Sequence, residues 1–287
     1  MTTASHPRST LRLLAAFSVL LFSSSPLQAD HHHNGDDKTA AALKTVIAGS
    51  HRADADKARD AHRHPLETLT LFGIKDNMTV VEVWPGGGWY TDILAPLLKD
   101  KGTYYAATFD PAGEPEYRRT NVQKYKDKLA AKPDLFEKTK LTILASPAKV
   151  DIAPEGSADL VLTFRNVHNW MADGQAENVF KAMYKALKPG GVLGVVEHRA
   201  NANAPQDPKA VSGYVREDYV IKLAQDAGFK LEGKSEVNAN PKDTKDYPQG
   251  VWTLPPVLRL KEVDREKYVA IGESDRMTLK FVKPAAK

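Results

Sequence analysis

The sequence predicts a doubly wound α/β fold, in which helices pack on both faces of a mostly parallel sheet. Short apolar runs rich in β-branched residues, such as 78–84 and 191–199, alternate with segments of helical periodicity through most of the chain. Glycine and proline clusters separate them, as at 85–88. Because parallel strands need a crossover helix between them, this alternation is typical of a parallel sheet.

Seven strands are expected, and the last is expected to enter the sheet antiparallel. Their segments are 78–84, 102–110, 140–147, 158–170, 191–199, 229–237 and 276–284, and the fourth runs on into a loop. Helices are predicted at 89–100, 114–132, 176–187 and 216–228, after N-terminal helices that Gly49 and Ser50 interrupt and Pro65 restarts. The polar segment 238–275 lacks a good crossover helix, which places the last strand antiparallel beside the sixth.

Composition describes an ordinary globular protein of one domain with additions. The 287 residues are 42% hydrophobic and 26% charged, and the formal net charge is +4. The chain contains no dense block of Lys and Arg, so no nucleic-acid partner is expected. With no cysteine, it can form no disulfide, thiolate metal site or cysteine nucleophile.

Residues 1–29 predict a secretory signal peptide. Arg8 and Arg12 form a positive start, 13–22 form a short apolar core, and cleavage is expected near Ala29. The mature protein is therefore expected in the periplasm or secreted, without a membrane span. Residues 30–58 are interpreted as a polar, His-rich tail and an N-terminal helix, and 59–287 as the main domain, with 238–275 inserted between its last two strands.

Cleavage after Ala29 would leave Asp30, His31 and His32 at the N-terminus. A free amine followed by histidine nitrogens can bind Cu(II) or Ni(II) in a square-planar arrangement. The alternative, which we favour, is a solvated tail that recruits metal only weakly.

The most informative segment is 82–91, EVWPGGGWYT, where a strand ends in a glycine loop. A phosphate-binding P-loop would need a lysine after the glycines, and none follows. A dinucleotide-binding loop would need a third glycine where Thr91 stands. What remains is a loop that lets a ligand approach the backbone, with Glu82 before it and a second acid, Asp110, after the next strand. A carboxylate there can accept hydrogen bonds from both hydroxyls of a ribose.

With this loop and with 184–198, YKALKPGGVLGVVEH, the sequence resembles the class I S-adenosylmethionine-dependent methyltransferases. It is most similar to predicted exported bacterial methyltransferases that carry an E-x-x-P-G-G-G-W-Y-T motif. The resemblance covers about 59–237 and the final strand. It implies a Rossmann-like seven-stranded sheet with an antiparallel last strand, and S-adenosylmethionine as the cofactor.

The resemblance also implies roles for individual residues. Those expected around the methionine and ribose parts of the cofactor are Glu82, Gly86, Gly87 and Gly88. Asp110 would bind the ribose hydroxyls and Phe109 would lie beside the adenine. Ser146 follows the third strand, where the family often has an acid that contacts the adenine amino group. Trp84 stands where many relatives have the first glycine of the loop.

Asn166 and His168, after the fourth strand, would face the methyl-transfer centre. Methyl transfer from a sulfonium is an in-line displacement, and a base near the acceptor assists it when the acceptor carries a proton. His168 is the candidate base, and Asn166 is a candidate catalytic or cofactor-orienting residue. The alternative for His168 is a histidine hydrogen-bonded within a loop.

Five residues are candidates for contacting the substrate: Tyr90, Trp170, His64, His198 and Arg199. The two aromatic residues could stack on a substrate, although packing is the commoner role. For His64 the alternative is an exposed helix start, and for Arg199 it is an ion pair with Glu197.

The leading functional hypothesis is S-adenosylmethionine-dependent methyl transfer to a small-molecule acceptor. The rival is a non-catalytic exported protein that binds another ligand or a metal on the same fold. A nicotinamide oxidoreductase is disfavoured by Thr91 in the loop.

Overall fold

The structure, a computed structural model, describes residues 1–4 and 30–285. The expected signal-peptide core and cleavage site lie outside the described residues, and so do the side chains of Asp30, His31 and His32. Among the described helices, none has the length and apolar character needed to cross a membrane.

The described part of the chain alternates strands and helices as expected. The strands are β1 (Thr79–Val83), β2 (Thr103–Thr108), β3 (Lys140–Ile143), β4 (Ala158–Phe164), β5 (Leu187–His198), β6 (Lys230–Ser235) and β7 (Arg276–Val282). The helices are α1 (Asp30–Ala48), α2 (Asp54–Lys57), α3 (Asp60–Arg63), α4 (Pro65–Phe72), α5 (Thr91–Leu98), α6 (Glu116–Ala131), α7 (Pro133–Phe136), α8 (Val167–Ala172), α9 (Ala176–Ala186), α10 (Glu217–Asp226) and α11 (Arg265–Ile271), with a 3₁₀ turn at Gly250–Thr253.

The seven strands form one sheet in the order β3-β2-β1-β4-β5-β7-β6. Strands β1 to β5 pair in parallel, whereas β7 pairs antiparallel with both β5 and β6. The predicted fold class, including the antiparallel last strand, is confirmed. The carboxyl ends of β1 to β6 and the start of β7 therefore share one edge, where ligands of such sheets bind.

Helices cover both faces of the sheet, as alternate side chains of β1 show. Val81 and Val83 pack in one core with α8, α9 and α10. Val80 packs in the other core with α1, α4 and α5. Each face of β1 is thus buried, which explains its continuous apolar run.

Local sequence explains the helix before the sheet. Pro65 is the first residue of α4, where its missing N–H costs nothing. Gly73 follows the helix with φ +76°, a backbone conformation that glycine adopts without strain.

One predicted segment differs from the structure. Segment 158–170 was expected to run from strand to loop, but 167–172 forms helix α8, which is too short for its periodicity to show in the sequence. The insertion 238–275, expected as a polar segment without a good crossover helix, contains the 3₁₀ turn and the seven-residue helix α11.

Candidate functional site

The glycine loop lies between β1 and α5 at the carboxyl edge. Gly86 and Gly88 have φ of +58° and +80°, values that a side chain would strain. A Cβ on Gly88 would also meet the Lys128 side chain at 3.1 Å, whereas one on Gly87 would meet nothing within 4 Å. The loop therefore needs glycine at 86 for its turn and at 88 for the turn and for close packing with α6.

Glu82 lies beneath this loop with 2% of its surface exposed. Its Oε2 accepts hydrogen bonds from Thr91 Oγ1 at 3.0 Å and from the Tyr104 hydroxyl at 2.5 Å. Burial raises the pKa of Glu82 to about 7, although both donors oppose the shift. The carboxyl is thus engaged inside the core and supports the loop from below.

The side chain of Trp84 runs along the carboxyl edge toward β3. Its Nε1 donates a hydrogen bond to the Leu144 carbonyl at 3.1 Å, and its ring centroid lies 4.4 Å from that of Phe109. Its backbone is left-handed, with φ +49°, at the position where relatives carry glycine. The indole therefore lies in the region where the resemblance places the adenine, beside Phe109 and against the segment after β3.

A cleft of about 190 Å³ opens beside the indole. Its walls include Trp84, Phe109, Asp110, Ser146 and Trp170. Gly86 instead lines a pocket of about 10 Å³ that also touches Trp84 and Phe109. The indole thus separates the glycine loop from the larger cleft.

Asp110 reaches this cleft from the end of β2. Its carboxylate accepts hydrogen bonds from Lys149 Nζ at 2.6 Å and from the Ala112 amide at 3.0 Å. These hydrogen bonds lower the pKa of Asp110, so the group is an anion at neutral pH. Ser146, on the opposite wall, donates to Gln175 Oε1 at 2.8 Å.

The far wall of the cleft is built by α8 and α6. Trp170 is fully buried, and its Nε1 has no hydrogen-bond partner among the described residues. The Arg118 guanidinium lies 5.2 Å from the Trp84 ring and bonds Asp173 at 2.6 Å. A buried indole N–H without a partner is costly.

Asn166 connects the end of β4 to the loop. Its Nδ2 donates to the Val83 carbonyl at 2.9 Å and to the Trp84 carbonyl at 3.2 Å. The amide N–H groups are therefore used in fixing the backbone that carries Trp84.

His168, on α8, is oriented by a buried acid. Its Nδ1 lies 3.0 Å from Glu197 Oε1, and Glu197 has none of its surface exposed. A carboxylate at this position holds the proton on Nδ1, which leaves Nε2 as the free, basic nitrogen. The sequence prediction treated His168 alone and missed Glu197 as its partner.

A second cavity, of about 210 Å³, lies at the same edge and is lined by His168. Its other polar walls come from Arg63, Arg165, Arg276, His198 and Glu273, and Trp252 of the insertion closes one side. Helix α8 contributes Trp170 to the first cleft and His168 to this cavity, so the two lie on either side of one helix.

His198 is the one further predicted substrate residue that lines this cavity. Its Nδ1 lies 2.5 Å from Ser274 Oγ. Burial, together with the neighbouring His168 and Arg276, holds the pKa of His198 well below its usual range. The imidazole is thus neutral at physiological pH.

The remaining predicted substrate residues lie in packing or ion-pair contacts. Tyr90 stacks on Phe164 with ring centroids 3.4 Å apart, and His64 precedes α4 with its Nδ1 3.4 Å from Asn238 Oδ1. Arg199 does not form the ion pair with Glu197 that the sequence offered as an alternative. It forms ion pairs with Glu236 at 2.6 Å and with Asp275 at 3.0 Å. Glu197 is instead directed into the core toward His168.

No model of a known protein family matches the chain, and no curated protein matches its sequence. Similarity appears only among solved structures. A SAM-dependent methyltransferase from Aquifex aeolicus superposes with a TM-score of 0.52 at 16% identity, over 85% of this chain and 98% of that one. The chain has a methyltransferase fold.

The same fold carries another reaction. The structure of the cyclase SpnF superposes with a TM-score of 0.52 at 15% identity, over 88% of this chain and 96% of that one. At these identities the likeness describes architecture, and the reaction has to be argued from the site.

The residues of the cleft suit the nucleoside part of S-adenosylmethionine, but Trp84 occupies the space between this cleft and the glycine loop. Asp110 offers a carboxylate for ribose hydroxyls, and Phe109 and Trp170 line the cleft beside it. A cofactor that spans from the glycine loop to Asp110 fits only if the indole leaves its place beside Phe109.

Proposed function

We propose that the protein binds S-adenosylmethionine at the carboxyl edge of β1 to β3 and transfers its methyl group to a small-molecule acceptor. The observation that carries this proposal is the cleft in which Phe109, Asp110 and Ser146 converge from the ends of β2 and β3. The methyltransferase fold supports it. When bound, the cofactor supplies an electrophilic methyl group.

The chain's own residues would bind the cofactor and take a proton from the methyl acceptor. Asp110 holds the ribose hydroxyls as an acceptor, and Asn166 holds the backbone of the loop. His168, with its proton kept on Nδ1 by Glu197, accepts a proton from the acceptor at Nε2. Export through the predicted signal peptide at 1–29 is part of this proposal, and it places the reaction outside the cytosol.

A second function is favoured by Trp84. If the indole keeps its hydrogen bond to Leu144, the cleft is closed toward the glycine loop and takes a smaller ligand. The protein is then a non-catalytic binding protein built on a methyltransferase fold.

Calorimetric titration of the purified protein with S-adenosylmethionine and S-adenosylhomocysteine tests both functions. Micromolar binding, about −8 kcal/mol, that Asp110→Ala abolishes supports methyl transfer. Asp226→Ala, at an exposed aspartate of α10 outside the cleft, is the matched control and should bind normally. Absence of binding to folded wild-type protein rejects the methyltransferase function and leaves the second one.

A further inference from the structure

The cavity beside His168 has an excess of positive charge. Four arginines, namely Arg59, Arg63, Arg165 and Arg276, surround a single glutamate, Glu273. Arg59 Nε lies 2.6 Å from Glu273 Oε1, Arg63 Nε lies 3.2 Å from Oε2, and Arg276 also donates to Oε2. One carboxylate thus neutralises one of the four charges.

Glu197, another buried acid at this edge, lowers the excess by one further charge and leaves it positive. It accepts hydrogen bonds from the His168 ring at 3.0 Å and from the His198 backbone amide at 2.8 Å. Its carboxylate orients the His168 ring.

Two arginine nitrogens in the cluster lack partners. Arg63 Nη1 and Arg59 Nη2 are buried and form no hydrogen bond within the described part of the chain. Arg63 has only 3% of its surface exposed and lines the cavity. Buried charged donors without acceptors are costly. Their presence here indicates that an oxygen atom of a bound ligand accepts these hydrogen bonds.

The side chain of Arg165 has neither a hydrogen bond nor an ion pair among the residues that the structure describes, and it lines the same cavity. It follows β4 directly with φ +61°, a left-handed backbone that is strained for arginine. Strained backbone conformations of this kind cluster at ligand and active sites, where they position a side chain for binding.

The electrostatics of the cluster point the same way. Burial and the charge of Arg165 lower the pKa of Arg63 to about 8. Burial and the charge of Arg276 lower the pKa of Arg165 to about 10. Both pKa shifts arise first from burial and then from neighbouring positive charge, and a bound anion would oppose them.

A metal ion is the alternative ligand for this place. His168, Glu197 and His198 offer ligand atoms within 4.8 Å of one another, the set among the described residues that could hold one. The positive charges of Arg276, Arg165 and Arg63, which already disfavour a charged His198, equally disfavour a divalent cation. The geometry favours an anion.

We propose that this cavity binds the oxyanion head group of a small ligand, a carboxylate or a phosphate, through Arg63 and Arg165. Guanidinium groups bind both head groups through paired N–H donors. Trp252 provides an apolar wall for the part of the ligand next to the head group. That this ligand is the methyl acceptor rests on the proposed function, whereas its binding does not.

Calorimetric titration of the purified protein with inorganic phosphate and with acetate, in low-salt buffer without cofactor, tests the proposal. We expect saturable binding of at least one probe, weakened about tenfold or more by Arg165→Gln. This variant removes no side-chain hydrogen bond or ion pair seen between described residues, so its fold should be kept. Arg265→Gln, on the exposed surface of α11 and outside the cavity, is the matched control and should bind as wild type does.

Preferential binding of phosphate assigns a phosphate head group, and preferential binding of acetate assigns a carboxylate. Binding of neither probe up to about 10 mM, or equal binding by wild type and Arg165→Gln, overturns the proposal. Anion binding without S-adenosylmethionine binding rejects only the methyltransferase function. Cofactor binding without anion binding rejects only this inference.

Discussion

The indole nitrogen of Trp84 donates a hydrogen bond to the carbonyl oxygen of Leu144 across 3.1 Å, and this contact joins the end of β1 to the segment after β3. The indole N–H thereby makes the kind of contact that the resemblance assigns to the adenine amino group. Trp84 is buried, with 7% of its surface exposed, and contacts Phe109 and Trp170. The protein thus fills part of the space in which the proposed function places the nucleoside.

Replacing Trp84 by glycine should therefore open the site. We expect Trp84→Gly to bind S-adenosylmethionine about tenfold more tightly than wild type, or to gain binding that wild type lacks, because the indole no longer competes for the space beside Phe109. Titration calorimetry measures this. Trp252→Ala, which changes a tryptophan of the other cavity, serves as the control; weaker binding by Trp84→Gly would mean that the indole is a wall the cofactor needs.

Glu82 should make stability depend on pH. Because burial raises its pKa from 4.5 to about 7, the folded protein favours the protonated carboxyl. This contribution is present in full below about pH 4.5 and is lost as the pH rises through 7, at a cost of about 3 kcal/mol. Glu82→Gln resembles the protonated form at every pH. The free energy of unfolding of the variant minus that of wild type should therefore be larger at pH 8 than at pH 5.

Urea denaturation of both proteins at the two pH values measures this difference. Glu137→Gln, at an exposed helix end, is the matched control and should show no such dependence. A stability difference between Glu82→Gln and wild type that stays constant from pH 5 to pH 8 would contradict the assignment.

The Glu197 carboxylate should fix the tautomer of His168. In wild type we expect the proton on Nδ1 and a bare Nε2, and in Glu197→Gln a mixture of tautomers. Long-range proton–nitrogen NMR spectra of the imidazole report this directly, with Glu236→Gln as a control at the same edge. Identical spectra for wild type and Glu197→Gln would remove Glu197 as the orienting group.

The same pair should govern turnover with any acceptor that wild type methylates. His168→Gln is expected to lower the turnover number by about 10²–10⁴, the usual contribution of a general base. Glu197→Gln should lower it less, because it acts through the orientation of His168. Unchanged turnover in His168→Gln would move the base to another residue.

Features of the fold and the candidate site could be predicted from the sequence when the residues that determine them are close together along the chain. The β1 strand, the turn at Gly86 and the start of α4 at Pro65 follow from neighbouring residues, and the parallel pairing of β1 to β5 follows from the alternation of strands and helices. The direction of the Trp84 side chain does not, because it depends on a carbonyl 60 residues away.

The arginine cavity was missed for a related reason. Arg63, Arg165 and Arg276 come from three distant segments, and only the shared edge of the sheet brings them together. The sequence held one signal, the isolated arginine directly after the apolar run of β4, where the end of a central strand meets the ligand edge.

The antiparallel pairing of β6 with β7 brings both ends of the segment between them to the same edge of the sheet. The chain leaves the sheet at the end of β6 and returns at the start of β7 on the same edge, and the intervening segment supplies Val251, Trp252 and Pro255 to the cavity. Since departure and return are neighbours, this segment can be exchanged for another without rethreading a strand. Under the proposed anion binding, this segment contacts the part of the ligand beyond the head group, while the ends of β4 and β5 hold Arg165 and His198 at the cavity.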